Sequence, residues 1–516
     1  MKEVIIDVLK KALKKEGVNI KEEQITSLLE TPPSPDMGDY SFPCFFLRDK
    51  LKKDPKDIAI ELRSNITKLP AGIEEIQTKG PYINFFVDNR EMFENLVKQV
   101  KYEKDEYGES TKTKIKTMVE FPSPNTNKPL HLGHLRNMAI GESISRIFEF
   151  NGDKVIRANL NNDRGVHICK SMLAYKLFGR KRTPAKAKMK PDKFVGDFYV
   201  MFNQKAKKSK KLDLQIQEML QKWESGDKET LELWGKMNQW ALTGFKETYR
   251  RFGIKHDVEF FESEIYEKGK EMVLEGLKKG IFQKKNDGVV FIDLEKEKLG
   301  EKVLLRQDGT SIYITQDLYL AKLKYEQYKL NNSIYVVGNE QNFHFNLLFT
   351  IIKKLGLNYQ GLKHLSHGMV NLPEGKMKSR EGTVVDADDL IDAVQILVKK
   401  ELLSRYKLPK KELEERSLKI ALAAVKYFLL KVDIRKDMIF NPKASINFEG
   451  DTGPYILYSY ARASSIMKKE RQKKKSYSIG DMKFEEQEAA LMKKLLEFKE
   501  VLSKSYTELN PSLMAN

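Results

Sequence analysis

Apolar residues recur at helical spacing from the first turn of the chain: Val4, Ile5, Val8, Leu9 and Leu13. That pattern predicts an amphipathic helix. Thr31-Pro32-Pro33-Ser34-Pro35 breaks it. After Gly38-Asp39-Tyr40-Ser41-Phe42-Pro43 a second helical pattern passes through Ile58 to Leu62, and Gly80–Val87 reads as a turn and a strand. Residues 1–100 therefore form a small α+β unit. Residues 102–114 are polar, with Gly108 and Ser110 set between charges, and mark a boundary.

The period changes beyond it. Thr117–Phe121 reads as a strand, and Pro122, Pro124, Asn125 and Pro129 make a turn-rich loop. A helix is expected from about Gly133 to Phe150, closed by Asn151-Gly152. Val155–Leu160 is the next strand and Val166–Phe178 the next helix. This alternation predicts an α/β fold with a parallel sheet. Residues 180–260 are helical and lysine-rich and read as an insertion. Strands are expected at Val289–Leu294, Val303–Leu305 and Ser311–Ile314, with Asp308-Gly309 turning between the last two. Ile334–Val337 is a further strand leading into a helix near Phe343–Lys354. From about residue 395 the pattern is helical, as in Leu418–Leu430 and Tyr455–Lys468. Three domains are expected: 1–108, then 109–394 with the insertion at about 180–260, then 395–516.

Composition narrows the function. No stretch of about 18 uncharged apolar residues occurs, so no membrane association is expected. The lysines at 10, 11 and 14 do not suit a signal peptide. Two cysteines, Cys44 and Cys169, exclude a disulfide framework and a cysteine zinc cage, which suggests a reduced, cytoplasmic protein. Lys and Arg total 92 against 73 Asp and Glu, a formal net charge of +19. Such a field attracts polyanions, of which nucleic acid is the commonest large one.

The chemistry concentrates in Asn125-Thr126-Asn127-Lys128-Pro129-Leu130-His131-Leu132-Gly133-His134. This loop joins a strand to a helix. Ligands of open α/β sheets bind at the carboxyl ends of the strands, and helix N-termini suit phosphate. His131 and His134 are two of only seven histidines in the chain. Each can donate a hydrogen bond to phosphate, Lys128 adds a cation, and Gly133 lets a flat ligand approach the backbone. No HExxH spacing points to zinc.

His131-Leu132-Gly133-His134 resembles the HIGH signature of class I aminoacyl-tRNA synthetases. About 240 residues downstream, Glu374-Gly375-Lys376-Met377-Lys378-Ser379-Arg380-Glu381-Gly382 is similar to their KMSKS loop. Ser379 stands in the slot of the second lysine and Arg380 in that of the final serine. That variant, and Lys128 ahead of the HIGH turn, resemble the arginyl-tRNA synthetase family. So do Val119–Asn125, Tyr313-Ile314-Thr315-Gln316-Asp317, Gly338-Asn339-Glu340-Gln341 with His344, and Phe448–Tyr455. Gly38–Pro43 and Gly80–Phe85 resemble that family's extra N-terminal domain.

The resemblance implies a class I nucleotide-binding (Rossmann-like HUP) parallel-sheet core. It also implies an N-terminal α+β tRNA-binding domain and a C-terminal all-α anticodon-binding domain. The expected reaction is ATP-dependent ligation of L-arginine to tRNA(Arg) through an arginyl-adenylate. The expected partners are ATP with Mg²⁺ as substrate, L-arginine and tRNA(Arg), with no zinc, and the expected state is a monomer. Lys128, His131, Gly133, His134 and Lys376 would be catalytic. Pro129, His131, Gly133, His134, Lys376, Met377, Lys378, Ser379 and Arg380 would bind ATP. Glu120, Ser123, Asn125, Tyr313, Asp317 and Gln341 would bind arginine, with Asp317 as the guanidinium partner. The family's helical domain normally continues for about 50 residues past the match to Asn510–Leu513, so this one is expected to be incomplete. Two rivals are a noncatalytic RNA-binding protein on the same fold and a class I synthetase for another amino acid.

Overall fold

A computed structural model describes residues 2–179, 181–206, 210–371, 373, 385–447, 449–471 and 482–516. The chain divides into two units, one of residues 1–108 and 473–499, the other of 109–472 and 500–516.

In the first unit, the helix Lys2–Lys15 buries Ile5, Ile6, Leu9, Ala12 and Leu13, the face its spacing predicts. It joins a core with β1 (Tyr40–Pro43), β2 (Ile73–Lys79) and β3 (Tyr82–Val87), an antiparallel sheet of order β1-β3-β2. The hairpin between β2 and β3 turns at Gly80, whose φ of 60° favours glycine. Ala489 and Met492 complete this core.

The second unit opens with β4 (Lys116–Glu120) and β5 (Lys154–Asn161). Between β5 and β6 (Val258–Phe261) come the helices Pro191–Ala206, Lys210–Glu224 and Lys228–Phe252. They gather Phe194, Phe198, Phe202, Ile216 and Met219 into their own cluster. β7 (Gln283–Lys284), β8 (Val290–Leu294) and β9 (Gly300–Leu305) then form a small antiparallel sheet. β10 (Asn332–Gly338) and β11 (Leu362–His367) return to the main sheet, which is parallel throughout with order β11-β10-β4-β5-β6. β12 (Val370–Asn371) and β13 (Met438–Ile439) pair nearby. The chain leaves β4 toward β5 on one side and later crosses to β10 on the other. The strand order therefore reverses between β4 and β10, and ligands of such sheets bind at that crevice.

The expected strand at Ser311–Ile314 is not formed. Asp308-Gly309 turns the chain, and Ser311 makes one isolated bridge to Leu305. Tyr313 then starts the helix Tyr313–Tyr328. Ile314, Leu318, Ala321 and Tyr325 are buried at helical spacing, and that longer period overrides the short apolar run. The helix Ala387–Arg405 runs across residues 394 and 395, and Lys410–Leu430 and Gly453–Arg471 follow it.

The helix Leu132–Phe150 is tied down by a fully buried arginine. Arg136 donates through Nη1 to the carbonyls of Gly368 (2.7 Å) and Met369 (3.0 Å). Through Nη2 it donates to Ile434 (3.3 Å) and Lys436 (2.8 Å). Its planar fork suits convergent carbonyls, and so fixes the first turns of this helix against two other loops.

Candidate active site

The loop after β4 is held open by the end of β5. Ser123 donates its N–H to Asn159 Oδ1 (3.2 Å), and Asn162 Nδ2 donates to the Ser123 carbonyl (3.0 Å). Asn162 and Thr126 complete a short ladder with Pro124 and Asn162 carbonyls. Pro129 seats against Gly196 of the insertion, where an added Cβ would lie 2.5 Å from Pro129 Cδ.

His131 is the N-cap of the helix Leu132–Phe150, and the two histidines cap it reciprocally. His131 Nδ1 accepts from the Gly133 N–H (3.1 Å), and His134 Nδ1 accepts from the His131 N–H (3.0 Å). A ring nitrogen that accepts carries no proton, so each neutral imidazole holds its proton on Nε2 as a donor. Burial first, then the Lys128 charge, lowers the His131 pKa to about 3. Burial, His131 and Lys128 hold His134 well below the ordinary range. The pair is thus neutral at physiological pH. Gly133 has a local reason: the His131 ring folds over it, and a Cβ there would meet His131 Cε1 at 3.0 Å. Lys128, Pro129 and His131 line a cavity of about 290 Å³ with Lys193, Tyr199 and Asp386. Lys376, Met377, Lys378, Ser379 and Arg380 lie outside the described residues.

A second cavity of about 420 Å³ lies at the carboxyl end of the sheet. Glu120, Ser123, Asn125, Tyr313, Asp317 and Gln341 all line it. Tyr313 and Asp317 are four apart on one helix and so share a face. Asp317 Oδ2 pairs with His344 Nε2 (2.7 Å). Glu120 Oε1 accepts from Ser123 Oγ (3.2 Å), while its Oε2 is bonded by Lys324 Nζ. Lys324 is fully buried, and its ammonium lies 4.1 Å from the Tyr335 ring centre. Burial works against that ammonium, but the Glu120 charge outweighs it and holds the lysine above its ordinary pKa.

A third carboxylate faces the same cavity. Glu262, the first residue of the helix after β6, is 3% exposed, and its Oε2 has no hydrogen-bond partner among the described residues. Burial pushes its pKa up to about 8, against the opposing pull of Arg164. A buried carboxyl with an unpaired oxygen favours a cation brought into the cavity it lines.

Residues 96–442 match the family described as tRNA synthetases class I (R), catalytic domain. Residues 2–87 match the arginyl tRNA synthetase N terminal domain, and 456–516 the DALR anticodon binding domain. This chain belongs to the arginyl-tRNA synthetase family. It is 46% identical over 513 residues to the arginine–tRNA ligase of Treponema denticola, covering 95% of this chain and 85% of that one. It is 42% identical over 529 residues to that of Borrelia hermsii, covering 100% and 90%. The fold matches the Thermus thermophilus arginyl-tRNA synthetase with a TM-score of 0.80 at 24% identity, covering 100% of this chain and 89% of that one. Against the Plasmodium falciparum arginyl-tRNA synthetase the TM-score is 0.73 at 22% identity, covering 98% and 88%.

For an arginyl-tRNA synthetase, two residues of this site escaped the sequence reading: Glu262, which lines the cavity, and Lys324, buried behind Glu120. Both had a signal. Glu262 follows a short strand, Val258–Phe261, at its carboxyl end. Lys324 continues the stripe Tyr313, Asp317, Leu320 along one helix face.

Proposed function

We propose that this chain ligates L-arginine to tRNA(Arg) at the expense of ATP. The observation that carries the reading is the convergence of Glu120, Asp317 and Glu262 on one cavity at the strand-order reversal. An arginine side chain presents five N–H donors in a planar fork, and carboxylates accept two at once. Asp317 and Glu262 take the guanidinium in this reading. The Asp317 charge adds to the burial that holds Glu262 protonated, so a cation between them favours the ionised Glu262. Glu120, beside Ser123 on the loop leading to the phosphate turn, takes the α-ammonium, and Asn125 and Gln341 contact the main-chain end. Tyr313 covers the site.

With its carboxylate directed at the turn, arginine attacks the α-phosphorus of Mg²⁺-bound ATP. The bond to the bridging oxygen breaks, and pyrophosphate leaves. The 3′-terminal ribose hydroxyl of tRNA then attacks the arginyl carbonyl and displaces AMP. No protein nucleophile takes part, so positioning and charge stabilisation supply the catalysis. The Nε2–H groups of His131 and His134 donate to phosphate oxygens. Lys128 and Lys376 neutralise the leaving pyrophosphate, supported by Met377, Lys378, Ser379 and Arg380. Residues 1–108 hold tRNA, 109–394 carry out both steps, and 395–516 read the anticodon, in a cytoplasmic, monomeric enzyme.

The test is pyrophosphate exchange and tRNA charging with each amino acid, with and without tRNA. Arginine alone should be charged. Charging of another amino acid with arginine inert, or tRNA binding with no exchange at all, would overturn the reading.

A further inference from the structure

The buried pair of Lys324 and Glu120 lies directly beneath the amino-acid cavity. Burying two charges costs several kcal/mol of hydration per ion, so such pairs add little to stability against apolar residues of similar size. This one therefore calls for another role. Three features define it. Lys324 sits on the helix Tyr313–Tyr328, seven residues beyond Asp317 and on the same face. Its ammonium is enclosed by Glu120, the Tyr335 ring and, at 5.9 Å, the Phe260 ring, with no exposure. It binds one oxygen of Glu120, and the other is left to Ser123 Oγ at the cavity.

We infer that Lys324 is a positioning residue of the amino-acid site, fixing Glu120 so that a single carboxylate oxygen is presented to the α-ammonium of the substrate. The inference rests on the proposed arginine reading and deepens it. Asp317 and Glu262 meet the side-chain cation, whereas Glu120 is already half satisfied from below. One protein cation thereby separates two anionic sites along one cavity. The guanidinium is steered to the far carboxylates, and the α-ammonium to Glu120 beside the phosphate turn. A lysine at 324 matters because its compact ammonium binds Oε2 end-on and leaves Oε1, which among the described residues accepts only from Ser123 Oγ, able to take a second donor; a guanidinium tends to grip both oxygens.

The experiment measures binding of two probes by calorimetry, L-arginine and 5-guanidinopentanoate, which is arginine without its α-amino group. Wild-type protein should bind arginine at least tenfold more tightly. Absence of arginine binding by wild type would defeat the arginine reading itself, a result distinct from those below. Lys324→Met should weaken arginine at least tenfold and leave the deaminated probe within about threefold. Lys324→Arg should recover part of the loss. Equal loss of both probes in Lys324→Met, or no loss of either, would overturn the inference. Should Lys324→Met not fold, Glu120→Gln is compared with Lys324→Met/Glu120→Gln, which removes both charges and leaves neither buried alone. The two should bind arginine equally within twofold. A further tenfold loss in the double variant would show that Lys324 does not act through Glu120.

Discussion

Glu262 offers the sharpest quantitative test. Its carboxyl has a pKa of about 8, raised by burial, so near neutral pH the free protein holds it mostly protonated. A guanidinium brought to the Glu262 carboxyl requires the ionised form. Binding below pH 8 must therefore release a proton. At pH 7 the ionised fraction is about one in eleven, which weakens apparent affinity about tenfold, or about 1.4 kcal/mol. Arginine affinity should rise about ninefold from pH 6 to pH 7 and about fivefold from pH 7 to pH 8, then level off.

Glu262→Gln removes the titration while keeping size and an acceptor oxygen. A hydrogen bond to a charged group contributes roughly 1.5–3 kcal/mol. At pH 8.5 the substitution should cost most of that, about tenfold to a hundredfold in affinity. At pH 6.5 the cost of ionising Glu262 offsets much of the gain, and the variant should come within about threefold of wild type. Calorimetry with L-arginine in buffers of different ionisation enthalpy reads both affinity and protons released. A flat wild-type profile with no proton release, or the same slope in Glu262→Gln, would refute the assignment. The free protein gives a cross-check. A carboxyl whose folded pKa lies above its unfolded value binds more protons folded than unfolded between about 4.5 and 8. Its contribution to stability is complete below that window and is lost as pH rises through it.

Asp317→Asn should raise the arginine KM and lower kcat/KM by about 10²-fold, since it breaks the His344 pair and weakens the guanidinium site together; an unchanged KM would remove Asp317 from the site. His134→Ala should slow adenylate formation far more than it weakens arginine binding, read by single-turnover kinetics against calorimetry. Because burial holds both histidines neutral, kcat should show no acidic limb near pH 6.5, and such a limb abolished by His134→Ala would contradict that state. Arg136→Met should lower stability by about 2–4 kcal/mol in denaturant titration, since four carbonyls lose a donor at once.

The order of strands and helices was legible wherever the hydrophobic period ran long enough to separate them. The parallel sheet and the turn at His131–His134 followed from the alternation of strands and helices, whereas the six cavity residues came from the family resemblance. What escaped was set by tertiary contact. Tyr313 read as strand because its window was short, and only the buried series Ile314, Leu318, Ala321 and Tyr325 reveals the helix. Gly133 read as a space for ligand, and the fold adds a second reason for glycine, since a Cβ there would meet His131 Cε1 at 3.0 Å. Lys324 and Arg136 are polar residues that a pattern assigns to the surface. Their burial depends on partners about 200 residues away or more, Glu120 for one and the carbonyls at 368, 369, 434 and 436 for the other. Local pattern carries no information on such pairings.

The two cavities differ in how they handle charge, and the difference matches the chemistry proposed for each. The arginine side uses carboxylates, one of which (Glu262) ionises as the ligand arrives, because that ligand carries a permanent cation in every state along the reaction. The phosphate side begins from two neutral imidazoles whose donors are set by mutual capping. Lys128 already supplies a permanent cation beside this turn; a further one in place of either imidazole would bind ATP and departing pyrophosphate alike, and uniform binding lowers KM without raising kcat. A neutral Nε2–H instead gains strength as negative charge grows on the phosphate oxygens, so its contribution is larger in the transition state. Replacing His131 or His134 with lysine should therefore tighten ATP binding and slow adenylate formation together. Tighter binding with undiminished rate would mean that charge, rather than a neutral oriented donor, is what the turn requires.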